Sequence, residues 1–193
     1  MKWFFTTLYN QSVVFTTKCL PEALAAALIT AAVFCIFSVI KGTKIKTKSF
    51  LKKLFSLAFL TFTVALILSL TLGLRLGQSF DSFSNLWGNW LIIKDEYSFD
   101  FSAIQNIIMF MPFPFAINFF RNYFLEKECR NKTAVIRATM YGLLLSLFIE
   151  SMQGIFRIGM VQVSDLVYNT SGGFVGAVIF IFILKLIQKK HRI

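Results

Sequence analysis

The stretch LAAALITAAVFCIFSVI, residues 24–40, contains no charged side chain. With Pro21 just before it, the run can cross the hydrocarbon core of a bilayer as a helix, which takes about 20 mostly apolar residues. Proline suits a helix start because its missing N–H has no intrahelical partner there. A four-span chain without this helix would fit the charge distribution, but the uncharged run favours a first transmembrane helix over residues 21–40.

Four further apolar stretches extend this pattern along the chain. They cover roughly residues 54–74, 103–120, 138–156 and 166–187. The third contains Pro112 and Pro114, which interrupt the hydrogen bonding of a helix and kink it. Charged residues make up 15% of the chain, against about 25% in soluble domains. The sequence predicts an all-α polytopic membrane bundle of about five transmembrane helices, forming one domain over residues 1–193.

The basic residues predict the orientation of this bundle. Fifteen of the 20 lie in three clusters, at residues 41–53, 121–137 and 185–192, which all fall on one side when the helices alternate. Lys and Arg accumulate on the cytoplasmic side of membrane proteins. We therefore expect a multi-pass protein of the cytoplasmic membrane, with its N-terminus outside and its C-terminus inside. The net charge of +11 then reflects topology, and no nucleic-acid partner is expected.

The first 19 residues are not a convincing signal peptide, because polar residues interrupt their apolar run. We expect residues 1–19 to lie at the extracytoplasmic interface, either as an amphipathic helix anchored by Trp3 and Tyr9 or as an irregular terminus.

The residues that usually bind metals are few and scattered. The chain has one histidine, His191, and no CxxC pair. On the predicted topology the cysteines are too far apart for a disulfide; they are Cys19, Cys35 and Cys129. We therefore predict no metal site and no cofactor.

Glu150 is the most informative polar residue of the fourth span. It follows Leu147, Phe148 and Ile149, and an ionisable side chain at mid-membrane costs about 2.5–3.5 kcal/mol on insertion scales. Gln153 and Arg157 follow at i+3 and i+7, on the same face if the helix continues. Such residues indicate a functional site, although a purely structural role in fastening helices would also explain them.

The fifth span carries a second polar face. Asp165, Asn169, Gly172 and Gly176 follow one another at i, i+4, i+7 and i+11. Asp165 can also cap the start of this helix, and Gly172 and Gly176 form a GxxxG spacing that lets another helix approach closely. We predict one binding cluster near the outer side of the membrane, formed by Asn106, Glu150, Gln153, Arg157, Asp165 and Asn169. Helix packing is predicted for Pro112, Gly172, Gly173 and Gly176.

Two motifs in these regions resemble those of the VanZ-like family. They are NIIMFMPFPF, residues 106–115, and IESMQGIFRIGMVQVSDLVYNTSGG, residues 149–173, and the resemblance covers roughly residues 50–190. Pro114 stands where that family usually has glycine, and Gln162 and Ser164 stand where an Asp-x-Asp pair is common, which leaves Asp165. The resemblance implies a membrane protein of mostly Gram-positive bacteria, in a family named for resistance to teicoplanin, a lipid-tailed glycopeptide antibiotic.

Three functions fit this sequence. In the first, the polar cluster binds or modulates a membrane lipid, a lipid-linked envelope precursor or a lipoglycopeptide antibiotic. In the second, the protein is an enzyme acting on an envelope lipid, with Glu150 and Asp165 as candidate catalytic residues. In the third, it is a small transporter. Five spans without a visible repeat suit alternating access poorly, an objection that a homo-oligomer would remove.

Overall fold

A computed structural model of the chain describes residues 13–42, 47–88, 90, 93–95, 98–99, 101–126 and 132–190. Its helices are α1 (Leu20–Ile40), α2 (Lys48–Thr71), α3 (Phe101–Phe110), α4 (Pro112–Tyr123), α5 (Lys132–Phe156) and α6 (Val163–Lys190). A π-helical turn, Phe15–Cys19, leads into α1, and a 3₁₀ turn, Gly73–Arg75, follows α2. Two short antiparallel strands, β1 (Ile93–Asp95) and β2 (Ser98–Phe99), form the one sheet of the described chain.

Five spans long and apolar enough to cross a membrane are present among the described residues. They confirm the predicted all-α bundle and indicate a multi-pass membrane protein. The third span, Ala103–Tyr123, consists of α3 and α4. The two helices meet at Met111, directly before Pro112, because proline supplies no N–H to the ladder and takes the first position of the next helix.

The helices extend beyond the apolar windows at their basic ends. α2 begins at Lys48, six residues before the predicted span, and the Thr47 hydroxyl oxygen accepts a hydrogen bond from the Phe50 N–H at 3.2 Å. α5 begins at Lys132 and α6 ends at Lys190, again outside the predicted windows. Lysine is a good helix former, so these helices continue past the hydrophobic stretch.

α6 packs against three other helices, whereas α1 packs mainly on α2. A Cβ placed on Gly172 would lie 2.2 Å from the Ile107 carbonyl oxygen, and one on Gly176 would lie 2.1 Å from that of Met111. The backbones of α6 and the α3–α4 junction are therefore in direct contact, as the GxxxG spacing predicts. Gly173 faces Gly142 of α5 at a looser distance. A Cβ placed on Gly173 would lie 3.8 Å from the Gly142 Cα, an ordinary van der Waals contact.

Two apolar clusters form the core. The first contains Ile67, Phe110, Phe113 and Ile149, and the second contains Ala134, Phe180 and Ile181. Together they join α2, α3, α4, α5 and α6, and Ile149 of the first cluster directly precedes Glu150 of the predicted site.

Some predictions concern residues outside the described part of the chain, namely Trp3, Tyr9, Cys129 and His191. Residues 13–19, predicted to lie at the interface, are largely helical and lead directly into α1. Both described cysteines, Cys19 and Cys35, are free thiols.

Candidate functional site

Glu150 lies near the end of α5, with 7% of its surface exposed. Its Oε2 atom accepts a hydrogen bond from the backbone N–H of Gln162 at 2.8 Å. This bond links α5 to the segment that connects it to α6. No other described residue donates to the Glu150 carboxylate, so its second oxygen, Oε1, has no hydrogen-bond partner within that part of the chain.

Two charged groups act on this carboxylate, Asp165 at the start of α6 and Arg75 at the end of the second span. A Cβ on Gly159 would lie 2.5 Å from Arg75 Nη1 and 2.9 Å from Gln153 Cδ. The Arg75 guanidinium therefore reaches the same place as the side chain of Gln153. Glu150 of α5, Asp165 of α6 and Arg75 of the 3₁₀ turn after α2 are therefore near enough for their charges to interact.

Arg75 is a site residue that the sequence prediction missed. A signal for it was available, because basic residues are scarce on the side predicted to be external. Arg75 lies there, at the end of an apolar helix and with the acidic stretch of the outer loop beyond it. A cation that departs from the topology rule at a helix end is a candidate for an internal charge partner.

Gln153 connects α5 to the end of α2. It is 3% exposed, and its Nε2 donates to the Thr71 carbonyl oxygen at 3.3 Å. Its Oε1 is buried and receives no hydrogen bond from the described residues. The backbone carbonyl of Gln153 accepts from the Ile158 N–H at 3.1 Å. Gln153 therefore fixes the end of α5 while leaving a side-chain acceptor unused.

Asn169 lies one turn deeper, between α6 and α5. Its Nδ2 donates to Ser146 Oγ at 2.9 Å, in a buried position, and Ser146 precedes Glu150 by one helical turn. The Asn169 Oδ1 atom is buried and receives no donor among the described residues. The site thus has two amide oxygens, from Gln153 and Asn169, that lack donors.

The loop after α2 covers the ends of α5 and α6. Three backbone hydrogen bonds join residues 80–86 to residues 157–163: Phe80 N to Arg157 O at 3.0 Å, Val161 N to Ser82 O at 2.8 Å, and Val163 N to Leu86 O at 2.9 Å. Gly88, at φ +74°, lies so close to Ser164 that a Cβ there would be 2.0 Å from the hydroxyl oxygen. Since backbone bonds hold this loop, it forms a fixed cover over the polar residues.

A pocket of about 440 Å³ lies beside this cover, between α5 and α6. Glu150 is the charged residue in its wall. Apolar side chains form most of the remaining lining; they are Phe83, Leu147, Ile155, Val161, Val163 and Leu166. Phe83 and Ile155 are largely exposed, at 64% and 69%. The pocket therefore combines a buried carboxylate with an open apolar wall.

Arg157 does not join this site, so its predicted place on the face of Glu150 and Gln153 is wrong. α5 ends at Phe156, and Arg157 takes a left-handed conformation with φ 52° that turns the chain out of the helix. Its side chain is exposed. The i+7 relation that predicted a shared face applies only while a helix continues.

Asn106 and Asp165 complete the predicted set. Asn106 is half-buried on α3, and its side chain makes no hydrogen bond to any described residue. Asp165 is half-buried in the first turn of α6, where its charge acts on Glu150. Glu150, Gln153 and Asp165 thus lie near one another, Asn169 lies a turn deeper, and Asn106 has no bond to any of them.

The described residues contain no group of three His, Cys, Asp or Glu side chains that could hold a metal ion.

A model of a known protein family matches almost the whole chain. No curated protein and no solved structure matches it. A family model described as VanZ/LLP1 matches residues 4–185, which includes the first helix as well as the region of the two motifs. The chain therefore belongs to the VanZ-like family.

Proposed function

We propose that this VanZ-like protein binds an amphiphile in the outer leaflet of the cytoplasmic membrane, with the polar head at Glu150 and the chain along the apolar wall. The observation that carries the proposal is the buried carboxylate in an otherwise largely apolar pocket. Glu150 Oε1 lies in this pocket and receives no hydrogen bond from the described residues. Ionisable side chains within membrane spans are rare and usually have a function. A ligand that donates a hydrogen bond to this oxygen offsets the desolvation of the acid.

The chemistry of the pocket favours one class of ligand. The acid in its wall has one oxygen, Glu150 Oε1, that receives no hydrogen bond from the described residues. The head group should therefore carry hydroxyl, amide or ammonium donors. Membrane lipids with amino or sugar heads, lipid-linked envelope precursors and teicoplanin-type lipoglycopeptides all combine such a head with a hydrocarbon chain. Protection against the antibiotic would follow from binding either the drug or the precursor.

The test compares the lipids that copurify with three proteins extracted without delipidation. They are the wild type, Glu150→Gln and Glu126→Gln. The amide keeps the shape of the acid and can still accept from the Gln162 N–H, so the fold should survive. Glu126 is an exposed acid at the other end of the bundle and serves as the matched control.

We expect one lipid class to fall by about tenfold in Glu150→Gln, since a charge-assisted hydrogen bond contributes about 1.5–3 kcal/mol. The Glu126→Gln protein should retain it. The proposal would be refuted if all three proteins carried the same lipids and if cells expressing Glu150→Gln were as susceptible to teicoplanin as cells expressing the wild type.

An enzymatic role is the second candidate, and the proximity of Glu150 to Asp165 and Arg75 favours it. Two carboxyl groups near one cation could hold and move a proton on a bound lipid. Neither nearby serine is hydrogen-bonded to a base among the described residues, since Ser151 Oγ donates to the Leu147 carbonyl at 2.7 Å and Ser164 Oγ has no partner there. Incubation with radiolabelled envelope lipids separates the roles, because an enzyme gives a new product that Glu150→Gln does not.

A further inference from the structure

Buried hydrogen-bond donors without partners gather at the opposite end of the bundle. Asn118 and Arg121 of α4 are 1% and 9% exposed. Asn118 Nδ2, Arg121 Nε and Arg137 Nε of α5 are all buried and have no hydrogen-bond partner among the described residues. All three atoms are donors. Around Glu150 the unpartnered buried atoms are instead the amide oxygens of Gln153 and Asn169 and the hydroxyl of Ser164.

These three residues lie at similar depth on neighbouring helices. Asn118 and Arg121 are three residues apart, on one face of α4. Arg121 precedes the end of α4 by two residues, and Arg137 follows the start of α5 by five. At a rise of about 1.5 Å per residue, the backbone of each arginine lies within about two turns of the helix end at the same side of the bundle. α4 and α5 pack against each other, so both arginines belong to the same end of one pair of neighbouring helices.

No anion from the described chain neutralises them. The ion pair that the structure shows, Lys53 Nζ to Glu126 Oε1 at 2.7 Å, involves neither arginine. The Nε–H groups of both arginines are buried donors that no described residue satisfies, which carries a desolvation penalty. An anion from outside the described chain would remove the penalty.

We propose that Asn118, Arg121 and Arg137 form a binding site for a phosphate group at the membrane face predicted to be cytoplasmic. Guanidinium groups bind phosphate oxygens through parallel N–H bonds, and the Asn118 amide adds a further donor. The phosphate belongs either to the head group of an anionic phospholipid, which lies at this depth, or to a soluble anion. The site is separate from the pocket at Glu150.

Binding to the purified full-length protein in detergent tests the proposal through the rise in melting temperature during titration. Three probes are compared: phosphatidylglycerol, the diacylglycerol that lacks its phosphate, and inorganic phosphate. We expect phosphatidylglycerol to stabilise the protein at lower concentration than diacylglycerol. Competition by inorganic phosphate would assign the site to soluble anions, and absence of competition would assign it to the lipid. Both results support the site.

Variants identify the residues. Arg121→Gln and Arg137→Gln should each weaken phosphatidylglycerol binding about tenfold, the effect of losing one strong charge-assisted bond. Arg121→Lys keeps the charge without the planar fork and should restore part of the affinity. Lys41→Gln removes an exposed charge from the same face and should leave the affinity unchanged.

Equal affinity for phosphatidylglycerol and diacylglycerol in the wild type would overturn the proposal. So would wild-type affinity in Arg137→Gln, which removes a less buried group than Arg121 and is therefore more readily folded. Glu150→Gln should bind phosphatidylglycerol as the wild type does, so this test is independent of the function proposed for the outer pocket.

Discussion

The first and last helices of the bundle are both long and apolar, yet they occupy different places in it. In its most apolar window, 17% of α1 residues are buried, against 39% for α6. α1 rests mainly on α2 and exposes Leu28, Ile29 and Ile40. α6 brings Gly172 and Gly176 against a neighbouring backbone. Apolar character places a helix in the membrane, but small and polar residues place it at the centre of the protein, because lipid competes equally for large apolar side chains.

Replacing Gly172 by alanine should have the largest effect on this arrangement. The new Cβ would overlap the Ile107 carbonyl oxygen, a backbone atom that cannot turn aside, and we expect a loss of about 3 kcal/mol. Thermal unfolding of the purified protein in detergent measures it. Gly173→Ala is the control, since its Cβ would have ordinary contacts and alanine favours helix by about 1 kcal/mol. A similar loss in both variants would show that backbone contact does not position α6.

Replacing an isoleucine by alanine should lower the unfolding free energy by an intermediate amount in α6 and hardly at all in α1. Ile181 of α6 is 9% exposed and packs with Ala134 and Phe180, whereas Ile29 of α1 is 64% exposed. Ile181→Ala should lower the unfolding free energy by about 2 kcal/mol and Ile29→Ala by less than about 0.5 kcal/mol. Equal losses in the same unfolding assay would mean that α1 is covered, for example by a second copy of the chain.

The smallest effect concerns the Lys53 end of α2, the helix on which α1 rests. The hydrogen bond and charge of Lys53 lower the pKa of the exposed Glu126 below its usual value. Such a group stabilises the folded state above its unfolded pKa, and the contribution is lost as the pH falls through the folded value. The melting temperature of the wild type should slightly exceed that of Glu126→Gln at neutral pH, and the two should converge below about pH 4. A difference that grows on acidification would contradict this sign.

The number and order of the spans could be predicted from the sequence, because a stretch must be apolar and long enough to cross the bilayer, and basic residues cluster between such stretches. It was less informative about helix ends. The windows stop where lysines begin, but α2 and α5 start at Lys48 and Lys132. A helix leaving the hydrocarbon continues as long as its backbone bonds are made, and hydropathy does not record this.

The candidate site was partly predictable for a related reason. Glu150 and Gln153 are spaced within one helix, so a helical wheel finds them. Arg157 lies past the end of that helix. The residue with the left-handed conformation there is an arginine and not a glycine, so the sequence does not mark the helix end. Arg75 reaches the site from a distant part of the sequence, through tertiary contacts that a periodicity analysis does not see. The family membership suggested by the two motifs was confirmed over residues 4–185.

The backbone-bonded cover over residues 157–163 has a consequence for the route of entry. The paired loop lies on one side of the pocket, and the exposed side chains of Phe83 and Ile155 line another. If the pocket binds the proposed amphiphile, the ligand would enter past these two side chains from the bilayer, where confinement to two dimensions raises its local concentration. Partitioning into the bilayer would then select for ligands with a hydrocarbon chain before any contact with the carboxylate, and against water-soluble molecules with the same head group.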